Sequence, residues 1–222
     1  MPYSAFLADR LPAYLTGVLT TIELTILSIV LAVIVALVMG LMRLSKNPFV
    51  TGIAYCYIEF FRGTSLYVQV FWVYFVLPIF GVTLNPFVAG FTAVGLNIGA
   101  YGAELVRGAI LSVPKGQYEA AYALSMSDFQ RMRRIILPQA LPIMLPPWGN
   151  LLIELLKGTA ICAMIGVVEL TFQAKQINSS TFLSAQAFGT SLILYYVLAR
   201  FGITPFMRWL EKFTARRMGR ST

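Results

Sequence analysis

The chain has 222 residues, of which 58% are hydrophobic and only 12% charged; soluble domains rarely reach that balance, and long apolar stretches read as transmembrane helices. It contains no histidine, which removes imidazole bases, histidine metal ligands and Ser-His catalysis together. The net charge of +8 would suit a nucleic-acid binder, but the basic residues cluster where apolar segments end, the pattern of cytoplasmic membrane loops.

Five spans are predicted in chain order. The first runs from about Val18 to Met42, the second from about Leu66 to Phe80, and the third from about Pro86 to Val106. The fourth covers about Leu141 to Val168 and the fifth about Ala187 to Phe206. Residues 48–61 are apolar and aromatic but hold Glu59 and precede Arg62, which suits either an interfacial helix or an early start to the second span. Pro78, Gly81, Asn85 and Pro86 mark a tight turn before the third span. Cys56 and Cys162 are far apart and lack paired-ligand spacing, so a zinc site is not expected and no metal ligand is named. The whole chain, residues 1–222, reads as a single membrane domain.

Loop charges set the sidedness. Arg43, Lys46 and Arg62 flank the first connection, and Arg107, Lys115, Arg131, Arg133 and Arg134 flank the third. Arg208, Lys212, Arg216, Arg217 and Arg220 form the tail, whereas the opposite side carries Arg10 and Lys175. The expected topology has the N-terminus outside and the C-terminus in the cytoplasm.

The connection after the third span is therefore cytoplasmic. Pro114-Lys115-Gly116 breaks the chain, and Gln117 to Leu124 then offers good helix formers. Asp128 is placed to start a second short helix, with Phe129, Met132 and Ile136 recurring on one face and Pro138 expected to end it. Two short helices at an angle make a rigid knob that can dock in a groove. No G-x-x-x-x-G-K-[ST] phosphate loop occurs, so ATP binding would belong to another subunit and no cofactor is expected here.

Glu119-Ala120-Ala121, three residues, Ser125, nine residues, Ile135, one residue and Leu137-Pro138 follow a recognisable spacing. It resembles the cytoplasmic EAA loop of bacterial ABC importer permeases, EAA-x3-G-x9-I-x-LP, with Ser125 in the place of the glycine. The resemblance implies that the loop at about 114–138 couples to an ATPase through Glu119, Ala120, Ala121, Ser125, Asp128, Ile135, Leu137 and Pro138. The glycine lies between two helices, where positive φ suits Gly; a serine held there costs on the order of 1 kcal/mol.

Phe61-Arg62-Gly63-Thr64 with Gln69, Ala103-Glu104-Leu105-Val106-Arg107-Gly108 and Ile165-Gly166-Val167-Val168-Glu169-Leu170 are similar to the polar amino acid permeases of the histidine/arginine/glutamine uptake type. Membership of that family implies an all-α integral membrane fold, the five-transmembrane-helix core of type I ABC importers. It also implies a pair of ATPase subunits, a second permease subunit, identical or homologous, and an extracytoplasmic solute-binding protein, in the bacterial inner membrane. The chain would be no enzyme. A secondary transporter of small solutes is the alternative; it would need a coupling-ion site and inverted repeats, and neither is evident.

Polar residues inside the spans are candidates for a substrate path, because they are expensive in lipid. Asn97, Tyr101 and Glu104 share one helix face in the third span, and Asn150, Glu154 and Lys157 share one in the fourth. With Gln69 in the second span, the expected path is Gln69, Asn97, Tyr101, Asn150, Glu154 and Lys157. The competing reading makes them interhelical hydrogen bonds, with Glu154 paired to Lys157 and Glu104 to Arg107. Members that carry cationic amino acids often have Asp after the lysine matching Lys157; here Gly158 follows. A cationic side chain would lose an obvious partner there, which favours glutamine-like, acidic or zwitterionic solutes, compatible solutes such as ectoine included, over arginine, lysine or histidine.

Overall fold

The computed structural model describes residues 3–217, which form helices joined by short turns, with no strand among them. Arg220, part of the basic tail, lies outside the described residues. The first helix, α1, runs unbroken from Tyr3 to Met42, 40 residues or about 60 Å. It is twice the length a bilayer core requires, so the predicted span from Val18 is only its C-terminal part. The N-terminal extension packs beyond the bundle: Phe6 and Tyr14 are buried with Leu170, Ile177 and Ala187, and the Tyr14 hydroxyl donates to the Ala187 carbonyl at 2.9 Å.

Residues 48–61 belong to a helix of their own, α2 (Pro48–Gly63), capped by Asn47, whose side chain accepts from the Phe49 amide. A break at Thr64-Ser65 turns the chain by 105° into α3 (Leu66–Phe71), which runs on through a π-helical turn and a 3₁₀ turn to Phe80. Gly81 then takes φ +86°, a left-handed conformation that needs no Cβ. The central helix, α4 (Pro86–Leu111), begins under an Asn85 cap with Pro86 at its first position.

Two short helices follow, α5 (Lys115–Ala123) and α6 (Asp128–Arg131). A π-helical turn over Met132–Ile136 joins α6 directly to α7 (Leu137–Gly158), and a 3₁₀ turn carries that helix to Ile165. Pro138 therefore does not end a short helix, contrary to the sequence reading; it sits in the first turn of α7. The wider π turn, with the Leu137 amide bonded to the Met132 carbonyl, makes room before a residue that has no N–H to give. The chain closes with α8 (Leu170–Thr181), α9 (Ser184–Val197) and, after another π-helical turn, α10 (Thr204–Arg217).

Among the described residues three helical stretches are long and apolar enough to cross a membrane, four if the bent pair α2–α3 counts as one. Helix α4 is not among them. Five glycines and Asn97 dilute its hydropathy, and most of its residues are buried by protein. It packs along α1 and α7 through small residues, as membrane helices do in the absence of a hydrophobic drive. A Cβ on Gly102 would fall 2.8 Å from the Ala36 Cβ and 2.7 Å from the Trp148 ring, and one on Gly99 2.8 Å from Val35. Replacing Gly102 by Ala is expected to push α4 off its neighbours and to destabilise the protein by about 1–3 kcal/mol. A lowered thermal midpoint in detergent, with normal membrane insertion, checks this.

Candidate functional site

The loop between α4 and α7 is a braced knob. Helix α5 ends in a Schellman turn: the Met126 amide reaches the Ala121 carbonyl at 3.2 Å and the Ser125 amide the Tyr122 carbonyl at 2.8 Å. That turn requires a left-handed residue between them, and Ser125 supplies it at φ +53°. The geometry that favours glycine is thus kept with a serine in place, at the cost of its Cβ. Ser127, rather than Asp128, caps α6. Its hydroxyl accepts from the Gln130 amide while the Gln130 side chain accepts from the Ser127 amide, a closed capping box. Asp128 stands in the first turn and pairs with Arg131.

The knob is tied at both ends. The Tyr118 hydroxyl donates to the Ile110 carbonyl at the end of α4, at 2.9 Å. Burial pushes that hydroxyl's pKa up, with Arg131 pulling the other way. Gln139 on α7 donates to the Gln117 side chain at 3.1 Å and to the Ile135 carbonyl at 3.0 Å. Ala121 is buried beneath α5, and Ile135, Leu137 and Pro138 are half-buried at the root of α7. Glu119 and Ala120 are exposed, and Glu119 lines a shallow groove of about 380 Å³ with Tyr118, Tyr122, Ala123 and Arg131.

Phe129 does not share a packed face with Met132 and Ile136. It stands 71% exposed, and on the same knob Tyr122 is 76% and Leu124 77% exposed. Three large apolar side chains on a hydrophilic knob are an uncovered contact surface, which the helical periodicity of the loop did not single out.

Inside the bundle the predicted path residues separate into two groups. Gln69 and Asn97 are buried and spend their hydrogen bonds on the break between α2 and α3. Asn97 Nδ2 donates to the Phe61 carbonyl and to Gln69 Oε1, both at 3.0 Å. Gln69 Nε2 donates to the Phe61 carbonyl at 3.0 Å and to the Thr64 hydroxyl at 2.6 Å. The 105° turn leaves carbonyls without helical partners, and these two amides satisfy them.

Tyr101, Asn150 and Glu154, by contrast, come together. With Arg62, Glu104 and Pro147 they line an open cleft of about 290 Å³ between α4 and α7, near the lower end of the size range of small-ligand sites. The Arg62 guanidinium lies over the Tyr101 ring, 5.5 Å from its centroid, a cation–π contact. Glu104 is already engaged, with Arg107 at 3.0 Å and with Arg43, the residue after α1, at 3.6 Å. Glu154 has no ion-pair partner among the described residues, and neither has Lys157; the pairing of the two is not formed. Lys157 faces away, into an apolar groove between α7 and α9 with Arg200. Among the described residues no group of three or more His, Cys, Asp or Glu side chains is placed to hold a metal.

Two further features escaped the sequence reading. Glu169 is fully buried, caps α8 through the Phe172 amide at 2.9 Å, and accepts a short hydrogen bond from Tyr195. It holds the outer helix α8 on the bundle. The π-helical turn at Met132–Ile136 is the second; it lies where the knob meets α7, and no composition signal announces such a turn.

A family model described as "Binding-protein-dependent transport system inner membrane component" matches residues 28–216. The chain belongs to that family. It is a multi-pass inner-membrane component of an ABC importer, a transport permease and not an enzyme. The "Probable amino-acid ABC transporter permease protein y4tF" of Sinorhizobium fredii is 46% identical over 186 residues, 81% of this chain and 78% of that one. The glutamine transport system permease protein GlnP of Escherichia coli is 38% identical over 162 residues, 72% of this chain and 74% of that one. A crystal structure of an amino acid ABC transporter with histidines superposes with a TM-score of 0.86 at 34% identity, over 94% of this permease and 97% of that chain.

The left-handed Ser125 makes a stability prediction for this permease. Ser125→Gly is expected to stabilise the knob by about 1 kcal/mol, because glycine adopts positive φ without a Cβ clash. Slower hydrogen exchange of the Ser127–Arg131 amides in the variant checks it; unchanged or faster exchange contradicts it.

Proposed function

We propose that this permease subunit passes a polar amino acid or a related zwitterionic solute across the membrane, driven by a pair of ATPase subunits that grip the α5–α6 knob. The single observation that carries this reading is the braced knob with its exposed apolar crown of Tyr122, Leu124 and Phe129. A rigid knob transmits the displacement of a docked domain, and a floppy loop would absorb it. Glu119, Ala120 and Asp128 border the docking surface; Ala121, Ser125, Ile135, Leu137 and Pro138 hold its shape. The π-helical turn at Met132–Ile136 gives α7 a joint at which that displacement is taken up.

The cleft between α4 and α7 suits a zwitterion. Arg62 offers a cation to a carboxylate, and Glu154, without an ion-pair partner among the described residues, an anion to an ammonium group. Tyr101 and Asn150 add neutral hydrogen-bonding groups between them. An uncompensated carboxylate on a membrane helix cannot face lipid, so Glu154 belongs to a water-filled path or to the face of a second permease subunit. Gln69 and Asn97 support the path from behind, and Lys157 opens into the separate groove between α7 and α9. The amino-acid and glutamine permeases among the relatives favour the same class of substrate.

Five crossings, with α4 as the third, put the N-terminus outside and the basic C-terminus in the cytoplasm, on the side of the knob. A solute-binding protein then delivers substrate from the outer side.

Reconstitution with the ATPase and the binding protein tests the reading. Glu119→Lys is expected to abolish ATP-driven uptake while leaving the permease inserted. Normal uptake by that variant would remove the knob from the mechanism.

A further inference from the structure

We propose that α10 is a docking site for the phosphate headgroups of anionic glycerophospholipids in the cytoplasmic leaflet. The helix has three different sides. Met207 is buried and packs over Gly149 of α7, which fixes the inner side. Phe206, Trp209 and Phe213 form a ladder on the second side, with ring centroids 6.2 and 5.6 Å apart and Trp209 60% exposed. Arg208, Lys212 and Arg216 recur at four-residue spacing on the third side, all exposed. None of these three has an ion-pair partner among the described residues, and Glu211 is the one acidic residue of the helix.

Depth brings the two outer sides to the membrane surface. Ser184–Arg216 is a continuous helix of 33 residues, about 50 Å long, against a hydrocarbon core of about 30 Å. Counted from its outer end, the helix leaves the hydrocarbon near Phe206. The aromatic ladder then falls at the level where amphipathic rings sit between acyl chains and water. The basic stripe falls one step further along, at the level of the lipid phosphates, with alkyl stems against the apolar layer and charged ends among the headgroups. A stripe of three unpaired cations beside a stacked aromatic face is complementary to an anionic interface.

The proposal rests on the placement of the chain in a membrane and not on its transport role, so a lipid-binding test can fail while that role stands. The permease, purified with its ATPase and stripped of lipid in detergent, is titrated with phosphatidylglycerol, phosphatidylcholine or inorganic phosphate, and bound lipid is counted by native mass spectrometry. Wild type is expected to retain phosphatidylglycerol over phosphatidylcholine. The triple variant Arg208→Gln, Lys212→Gln, Arg216→Gln is expected to lose that affinity by on the order of tenfold or more, since each cation near an anionic surface contributes about 1 kcal/mol. The single variant Lys212→Gln is expected to move in the same direction by less. Undiminished phosphatidylglycerol binding by an assembled triple variant, or displacement of the lipid by inorganic phosphate, overturns the proposal.

Discussion

Close approach between α1 and α4 is the constraint on which the other features depend. Where Gly99 faces Val35, and Gly102 faces Ala36 and Trp148, there is no space for another carbon atom. Helices held that tightly behave as one body, and dispersion between well-fitted surfaces supplies the attraction that hydrophobicity cannot supply in lipid. The post so formed carries Asn97 on the side of the α2–α3 break, Tyr101 and Glu104 on the side of α7, and Ile110, the acceptor for Tyr118, at the end next to the knob. The break, the cleft and the knob are all referred to one rigid element.

From that frame the polar groups of the interior divide by whether their hydrogen bonds are spent. Asn97 and Gln69 are bonded to each other, to the Phe61 carbonyl and to the Thr64 hydroxyl. Glu104 is shared between Arg43 and Arg107 and pins the end of α1 to α4. Glu154 is left over. A medium that penalises an unpaired charge by several kcal/mol makes that carboxylate, which lines a cleft with Arg62 and Tyr101, the basis of the proposed solute path.

The knob, its spacing and most of the helices were legible in the sequence, because each rests on local rules. Proline and glycine punctuate the loop, helix formers fill α5, and apolar runs mark the long helices. The left-handed conformation of Ser125 was not settled by the sequence, because a serine in the place of glycine also suits a slightly different turn. What was not legible depends on tertiary packing. Helical periodicity put Asn97 and Tyr101 on one face, but it could not say that a 105° break would bring the Phe61 carbonyl to Asn97. It set Glu154 and Lys157 one turn apart without revealing that they point to different grooves. Pro138 was misread as a stop because a π turn before a proline has no signature in composition. The full length of α1 was hidden because its first turns are amphipathic and pack on α8 and α9 rather than reading as a span.

The central claim is that the α4–α7 cleft is wet and that Asn97 behind it is a packing group. Single cysteines at positions 97, 101 and 154, in a background with Cys56 and Cys162 replaced by serine, can be probed with a membrane-impermeant thiol reagent as nucleotide is cycled. Cysteines in place of Tyr101 and Glu154 are predicted to react in at least one nucleotide state, and the cysteine in place of Asn97 to stay protected in all of them. Reaction at 97 with protection at both 101 and 154 would contradict the assignment.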